Sequence, residues 1–229
     1  MDRVLIGRFL FRYRGFVPVP FLVSLLLLSE KPWALSSPRW LWIGALVTLL
    51  GEALRFLVAG FAKGKTSGRG SSLEADFIVR YGLYSYVRNP LYLGNYLLFL
   101  GFLLFSRNLL LLVVGTILFA LYYSLIVRAE EDFLLSRFPE VYEEYLERVP
   151  RFFPALLNKP LEKAPLYSPL QALFREKDTL FQWILLFFLF QRRRLENFTG
   201  THLLFLLSLV GVWALLSLLK KRFRLRSPG

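Results

Sequence analysis

Arg88, Asn89 and Pro90, with Tyr92 and Gly94 just behind them, stand at the head of an apolar run in the stretch "VRNPLYLGNY". The next apolar run is followed by Glu130 and Glu131, then by Tyr142, Tyr145, Arg148 and Arg151. These are the residue types here that can do chemistry, because the chain has no cysteine and a single histidine. Zero cysteines removes disulfides, thiolate metal sites and cysteine nucleophiles together, and one histidine removes a multi-histidine metal centre. No metal is expected. Any reaction must run on carboxylates, arginines, tyrosines, amides and a borrowed cofactor.

The elements that carry these residues are set by hydrophobicity. With 55% hydrophobic residues, mean hydropathy +0.48 and 23 Phe in 229 residues, the chain has more apolar surface than a soluble domain of its length could bury. Charge-poor stretches run from Gly15 to Ser29, Trp40 to Ala62 (interrupted by Glu52 and Arg55), Leu91 to Ser106, Leu109 to Val127, Thr179 to Gln191 and Asn197 to Leu219. About 20 residues span a hydrocarbon core, so these lengths predict an all-α, polytopic transmembrane bundle of about six segments, the fifth being short. The first segment carries Pro18 and Pro20, lacks a small-residue cleavage site and follows a basic, aromatic stretch, so it is read as a retained helix and not a signal peptide. A cytoplasmic N-terminus with six crossings leaves most of the 29 Lys and Arg on the cytoplasmic side, with Arg192, Arg193 and Arg194 as the exception. If the fifth segment is interfacial or re-entrant, that cluster stays cytoplasmic and the C-terminus moves outside. The net charge of +13 lies in short clusters beside apolar segments, which suits anionic lipid headgroups and not nucleic acid.

A short turn at Arg107 and Asn108 makes the third and fourth segments an antiparallel hairpin, so Arg88 to Gly94 and Glu130 to Arg151 reach one membrane face and can share one pocket. Phe133, Leu134, Phe138, Val141, Tyr142, Tyr145 and Val149 recur at helical spacing with Pro139 between them, predicting two short amphipathic cytoplasmic helices. The loop from Ala62 to Pro90 is read as a cytoplasmic cap, and the proline-rich residues 150–178 as an extended connector. The chain divides accordingly into a tail and first helix (1–39), a core (40–154), the rest of the connector (155–178) and a C-terminal hydrophobic pair with a basic tail (179–229). Gly44 and Gly51, like Gly94 and Gly101, lie two turns apart and are read as packing positions. Glu52 and Arg55 sit at i, i+3 inside the second helix, either a functional intramembrane pair or a mutually satisfied structural one. His202 is read as structural or interfacial.

Two stretches, "GLYSYVRNPLYLGN" (82–95) and "EEDFLLSRFPEVYEEYLERVPRFFP" (130–154), resemble the two signature motifs of the isoprenylcysteine carboxyl methyltransferases and their phospholipid methyltransferase relatives. The resemblance covers roughly residues 40–154. It implies S-adenosylmethionine bound at the cytoplasmic face of the cytoplasmic membrane, with a lipophilic or lipid acceptor arriving from the bilayer. Carried onto this chain, the cofactor-binding residues implied are Tyr84, Arg88, Asn89, Pro90, Tyr92, Gly94, Asn95, Glu130, Glu131, Tyr142 and Tyr145, and the reacting set Arg88, Asn89, Glu131 and Arg151. The inventory suits the ligand: a zwitterion, a ribose, an adenine and a sulfonium ask for a cation, carboxylates and aromatic faces. Asn89 stands where the family usually has histidine and Pro139 where it has glycine. Asparagine cannot titrate, so a general base at that position is absent.

Two other readings account for part of the sequence. Membrane sterol reductases share a related hairpin and a tyrosine-rich end but bind a nicotinamide cofactor. A non-enzymatic membrane scaffold explains the hydrophobicity and the basic loops and leaves both motifs unexplained.

Overall fold

In a computed structural model the described residues are 3–14, 37, 39–61, 73, 75–157, 159–192 and 199–224. The first hydrophobic segment (Gly15 to Ser29), the glycine-rich start of the cap (62–72), and Arg193 and Arg194 lie outside them, as does the side chain of Arg192. Seven α-helices are described: α1 (Arg3–Tyr13), α2 (Arg39–Phe61), α3 (Pro90–Ser106), α4 (Leu109–Arg137), α5 (Pro139–Arg148), α6 (Pro169–Arg192) and α7 (Gly200–Arg224). Among the described residues there is no strand; the protein is an all-α membrane helical bundle. The helices α2, α4 and α7 are long and apolar enough to cross a bilayer, and α3 is a shorter apolar helix.

Proline sets three of the starts. Pro90 opens α3 and Pro139 opens α5, each in the first turn, where a missing N–H costs nothing and a fixed φ is already helical. At α6, Ser168 caps the helix, its hydroxyl oxygen accepting from Gln171 N at 3.2 Å, with Pro169 as the first helical residue. The expected extended connector therefore ends at Ser168 and not at Asp178, because nothing after Pro169 breaks the helix. The first of the two expected cytoplasmic helices is likewise the continuation of α4. No Pro or Gly interrupts residues 116–138, so the helix runs on to Arg137 and is stopped by Phe138 and Pro139.

The α3–α4 turn is as short as its sequence suggests. Arg107 adopts a left-handed conformation (φ 53°) and its N–H bonds to Leu104 O at 3.1 Å, after which Asn108 caps α4 by accepting from Leu111 N at 3.2 Å. At 1.5 Å per residue, the 29 residues of α4 extend about 44 Å, more than the roughly 30 Å hydrocarbon core. The surplus carries Glu130 and Glu131 out at the membrane face where α3 begins.

The described chain forms two compact units, Met1–Leu166 and Tyr167–Gly229. In the second, α6 and α7 pair through Phe188 and Phe205 (ring centroids 5.0 Å apart) and through Trp213 Nε1, which donates to Asp178 at 2.8 Å. In the first, α2 lies on α3 along a glycine seam: a Cβ at Gly44 would stand 2.7 Å from Gly101 O, and one at Gly51 2.7 Å from Leu98 N. The α1 helix packs on α4, where Gly7 sits against Leu125 O and Phe11 is buried among Tyr92, Tyr123, Ile126 and Val127.

The seam yields a stability prediction. A Cβ at Gly101 would meet Gly44 O at 2.7 Å, so Gly101→Val should destabilise the detergent-solubilised protein by about 1–3 kcal/mol through overpacking against backbone. Gly211, with nothing within 4 Å, should accept alanine without loss. Thermal unfolding of both variants measures this; equal melting temperatures would contradict the seam.

Candidate functional site

The motif at 82–95 is shaped before it meets anything else. Gly82 takes a positive φ of 60°, which turns the chain into a short 3-10 helix, Gly82–Ser85, and lifts Tyr84 beside the mouth of α3. The strap after α5 then runs alongside: Arg88 N donates to Pro150 O (2.9 Å), Ala155 N to Tyr86 O (2.9 Å) and Asn89 Nδ2 to Arg151 O (3.1 Å). The Tyr145 hydroxyl donates to Tyr84 O at 2.7 Å and ties α5 to the same turn.

Charges meet where α3, α4 and the strap converge. Glu131 is clamped by two arginines: Arg151 bonds it through Nε (3.1 Å) and Nη2, and Arg88 Nη1 lies 3.5 Å from it. Arg88 and Glu131 are each nearly buried, with 11% and 12% of their side chains exposed. Arg88 Nε is buried and has no hydrogen-bond partner among the described residues, so one N–H of a largely desolvated cation is held in reserve. Glu130, also buried, lies beside the Tyr92 ring.

These groups line a cleft of about 620 Å³, measured out to its open mouth. Tyr84, Arg88, Asn89, Tyr92, Glu130, Glu131, Tyr142 and Tyr145 all face it, together with Leu91, Leu134 and the loop residues Ala75, Phe77, Ile78 and Val79. Four sequence-predicted residues stand behind the wall instead. Arg151 reaches the cleft through Glu131, and Pro90 starts the helix. Gly94 makes room for α2, because a Cβ there would come within 2.6 Å of Arg55 Cγ. Asn95 accepts from Arg55 Nη1 and donates to the Tyr123 hydroxyl at 3.1 Å. Tyr123 packs on Tyr92 with ring centroids 4.8 Å apart, so a buried chain Arg55–Asn95–Tyr123 supports the Tyr92 wall; Glu52 sits 4.0 Å from Arg55 Nε.

Tyr123 and the 75–79 loop were not anticipated. The signal for Tyr123 was its place two turns before Glu130, on the same helix face; the loop offered none. Arg88 and Glu130 make an anion-facing cation and a cation-facing carboxylate, and four tyrosine rings supply flat, electron-rich walls. That set suits a zwitterion with attached rings. Among the described residues no three His, Cys, Asp or Glu gather as metal ligands.

Burial raises the Tyr142 phenol well above its ordinary 10.0, assisted by the Glu131 charge; burial does the same for Tyr145, assisted by Tyr84 and Tyr142. Both rings are therefore neutral hydrogen-bonding walls at physiological pH.

Residues 40–141 match the phospholipid methyltransferase family. The cobalt-zinc-cadmium resistance protein CzcN of Cupriavidus metallidurans is 34% identical over 142 residues, covering 61% of this chain and 62% of that protein. The nickel-cobalt-cadmium resistance protein NccN of Alcaligenes xylosoxydans xylosoxydans is 34% identical over 86 residues, 38% of this chain and 40% of that one. A protein-S-isoprenylcysteine O-methyltransferase of Schizosaccharomyces pombe is 36% identical over 83 residues, 34% of each chain. The chain thus spans less than two thirds of the length of each of these relatives.

The two raised phenols give a pH prediction. A raised folded-state value favours the neutral phenol in the folded protein, so this stabilisation is complete below 10.0 and is lost as pH rises past it. Melting temperature should fall between about pH 9.5 and 11.5, and less steeply in the Tyr142→Phe, Tyr145→Phe double variant, which cannot titrate there. At neutral pH, Tyr145→Phe alone should cost about 0.5–1.5 kcal/mol for its lost bond to Tyr84 O. An unchanged alkaline slope in the double variant would contradict the burial argument.

Proposed function

We propose an S-adenosylmethionine-dependent methyltransferase acting on a lipophilic or amphiphilic acceptor at the cytoplasmic membrane face, a reading supported by the match of residues 40–141 to the phospholipid methyltransferase family. The observation that carries this reading is the nearly buried Arg88, fixed by Glu131 yet with Nε unpartnered among the described residues, inside an aromatic cleft. A desolvated guanidinium with a spare N–H asks for an anion, and a ligand carboxylate meets it. Glu130, a buried carboxylate in the cleft wall, suits the ligand's ammonium. Tyr84, Tyr92, Tyr142 and Tyr145 wall the sulfonium and the adenine.

S-adenosylmethionine supplies an already activated methyl group on sulfur, so the protein has to position and to exclude water. Asn89 contributes as a latch, its amide holding Arg151 O and thereby the strap over the cleft. It cannot accept a proton. Glu131 and Arg151 act through Arg88: their ion pair sets the position of its guanidinium. An acid or thiolate acceptor needs no base, whereas an ammonium acceptor would have Glu130 as its nearest proton sink.

Calorimetry on the purified protein tests the proposal. Binding of S-adenosylmethionine and of its demethylated product is expected, and none of NADPH; the reverse pattern would hand the site to the reductase reading. Arg88→Ala should weaken cofactor binding by about 1.5–3 kcal/mol, roughly 10- to 150-fold, with only partial recovery by lysine, which lacks the planar fork. A chain ended at Leu166, the boundary of the first compact unit, should keep the affinity. Unchanged affinity in a folded Arg88→Ala protein would refute the assignment.

A further inference from the structure

The strap after α5 pairs a fixed backbone with an apolar tip that none of the described residues covers. Phe153, Leu156 and Leu157 are 88%, 79% and 100% exposed. Their neighbours are firmly held: Phe152 packs toward the Phe11, Tyr92 and Tyr123 cluster, Ala155 N bonds Tyr86 O, and Leu161 packs under Tyr142, Tyr145 and Val149. Leu161 N also bonds Ser85 Oγ at 3.2 Å, so both ends of the tip are pinned to the turn in front of α3.

Depth follows from α3. Its 17 residues extend about 25 Å, less than the roughly 30 Å hydrocarbon core, so Pro90 stands at the edge of the hydrocarbon or just inside it. Residues 86 and 88, to which the strap is bonded, come immediately before Pro90, and the strap shares their level. An apolar tip fixed at that level, flanked by the exposed Lys159 and Lys163, has the makeup of an interfacial membrane-binding element.

We propose that residues 153–157 are seated in the cytoplasmic leaflet, with Phe153, Leu156 and Leu157 among the upper acyl segments and Lys159 and Lys163 against anionic headgroups. The partner is the lipid surface itself, and the inference rests on the membrane helices and the strap, independent of any methyl transfer. Its consequence reaches the cleft, because the same strap carries Arg151. The Arg88–Glu131–Arg151 clamp lies at headgroup depth, where an amphiphile in the leaflet presents its polar end.

The absence of native cysteine allows a direct test. A nitroxide is attached in turn to Phe153→Cys, Leu156→Cys and Leu157→Cys in the full chain, reconstituted in nanodiscs of phosphatidylcholine and phosphatidylglycerol. Glu147→Cys, exposed on α5, serves as the reference. Dissolved oxygen, which concentrates in acyl chains, should relax the label more than a water-soluble nickel chelate at two or more strap positions, with the order reversed at 147. Nickel-dominated relaxation at two or more strap positions would overturn the proposal. So would protection from both relaxants, which would mean that protein covers the tip.

Discussion

The Glu131 carboxylate, held between Arg88 and Arg151, is the interaction on which the arrangement of the first unit depends. It joins three chain segments that are distant in sequence: the mouth of α3, the far end of α4 and the strap after α5. A largely buried ion of either sign is costly alone, and removing one member of such a cluster leaves the others uncompensated. The clamp therefore needs α4 to run straight past the membrane edge, Phe138 and Pro139 to turn the chain back, and α5 to return Arg151 to the level of Glu131. Each requirement is met by a local feature: an unbroken helical stretch to Arg137, a proline in the first turn of α5, and Asn89 gripping Arg151 O.

Support from within the membrane is of a different kind. Glycines let α2 and α3 approach at backbone distance, and the close approach brings Arg55 over Gly94 to Asn95. An intramembrane charge survives because Glu52 and Asn95 accompany it, and Asn95 passes its orientation to Tyr123 and so to the floor under Tyr92. The motif glycine thus serves the cleft from behind. The N-terminal α1, outside the family-matched residues, closes the same floor with Phe11.

How much of this could be read in advance depends on range. Local rules placed both ends of α3 and the start of α4 closely, because Pro90 and the Arg107–Asn108 turn are short-range signals, and they stopped α4 at Val127 where it runs on to Arg137. They misjudged the start of α6, since proline density suggested an extended chain where Ser168 and Pro169 form a cap and a first helical residue. The hairpin argument brought Arg88 and the two glutamates to one face, and they do line one cleft. It could not divide their roles: in the fold Glu131 is taken up by two arginines while Glu130 lies beside Tyr92. Asn95, Gly94 and Arg151 carry motif letters that spacing cannot distinguish from lining residues. The 75–79 loop comes into the cleft through tertiary contacts alone, such as Arg137 Nε to Ala75 O at 3.1 Å.

The Arg88 cleft is proposed to serve methyl transfer to a membrane-borne acceptor. The most direct test incubates membranes containing the chain with methyl-labelled S-adenosylmethionine and follows the label into a solvent-extractable product. Label is expected in that fraction with the native chain, with a large loss of it for Arg88→Ala at equal membrane insertion. Label confined to the aqueous phase, or equal labelling by the two proteins, would contradict it.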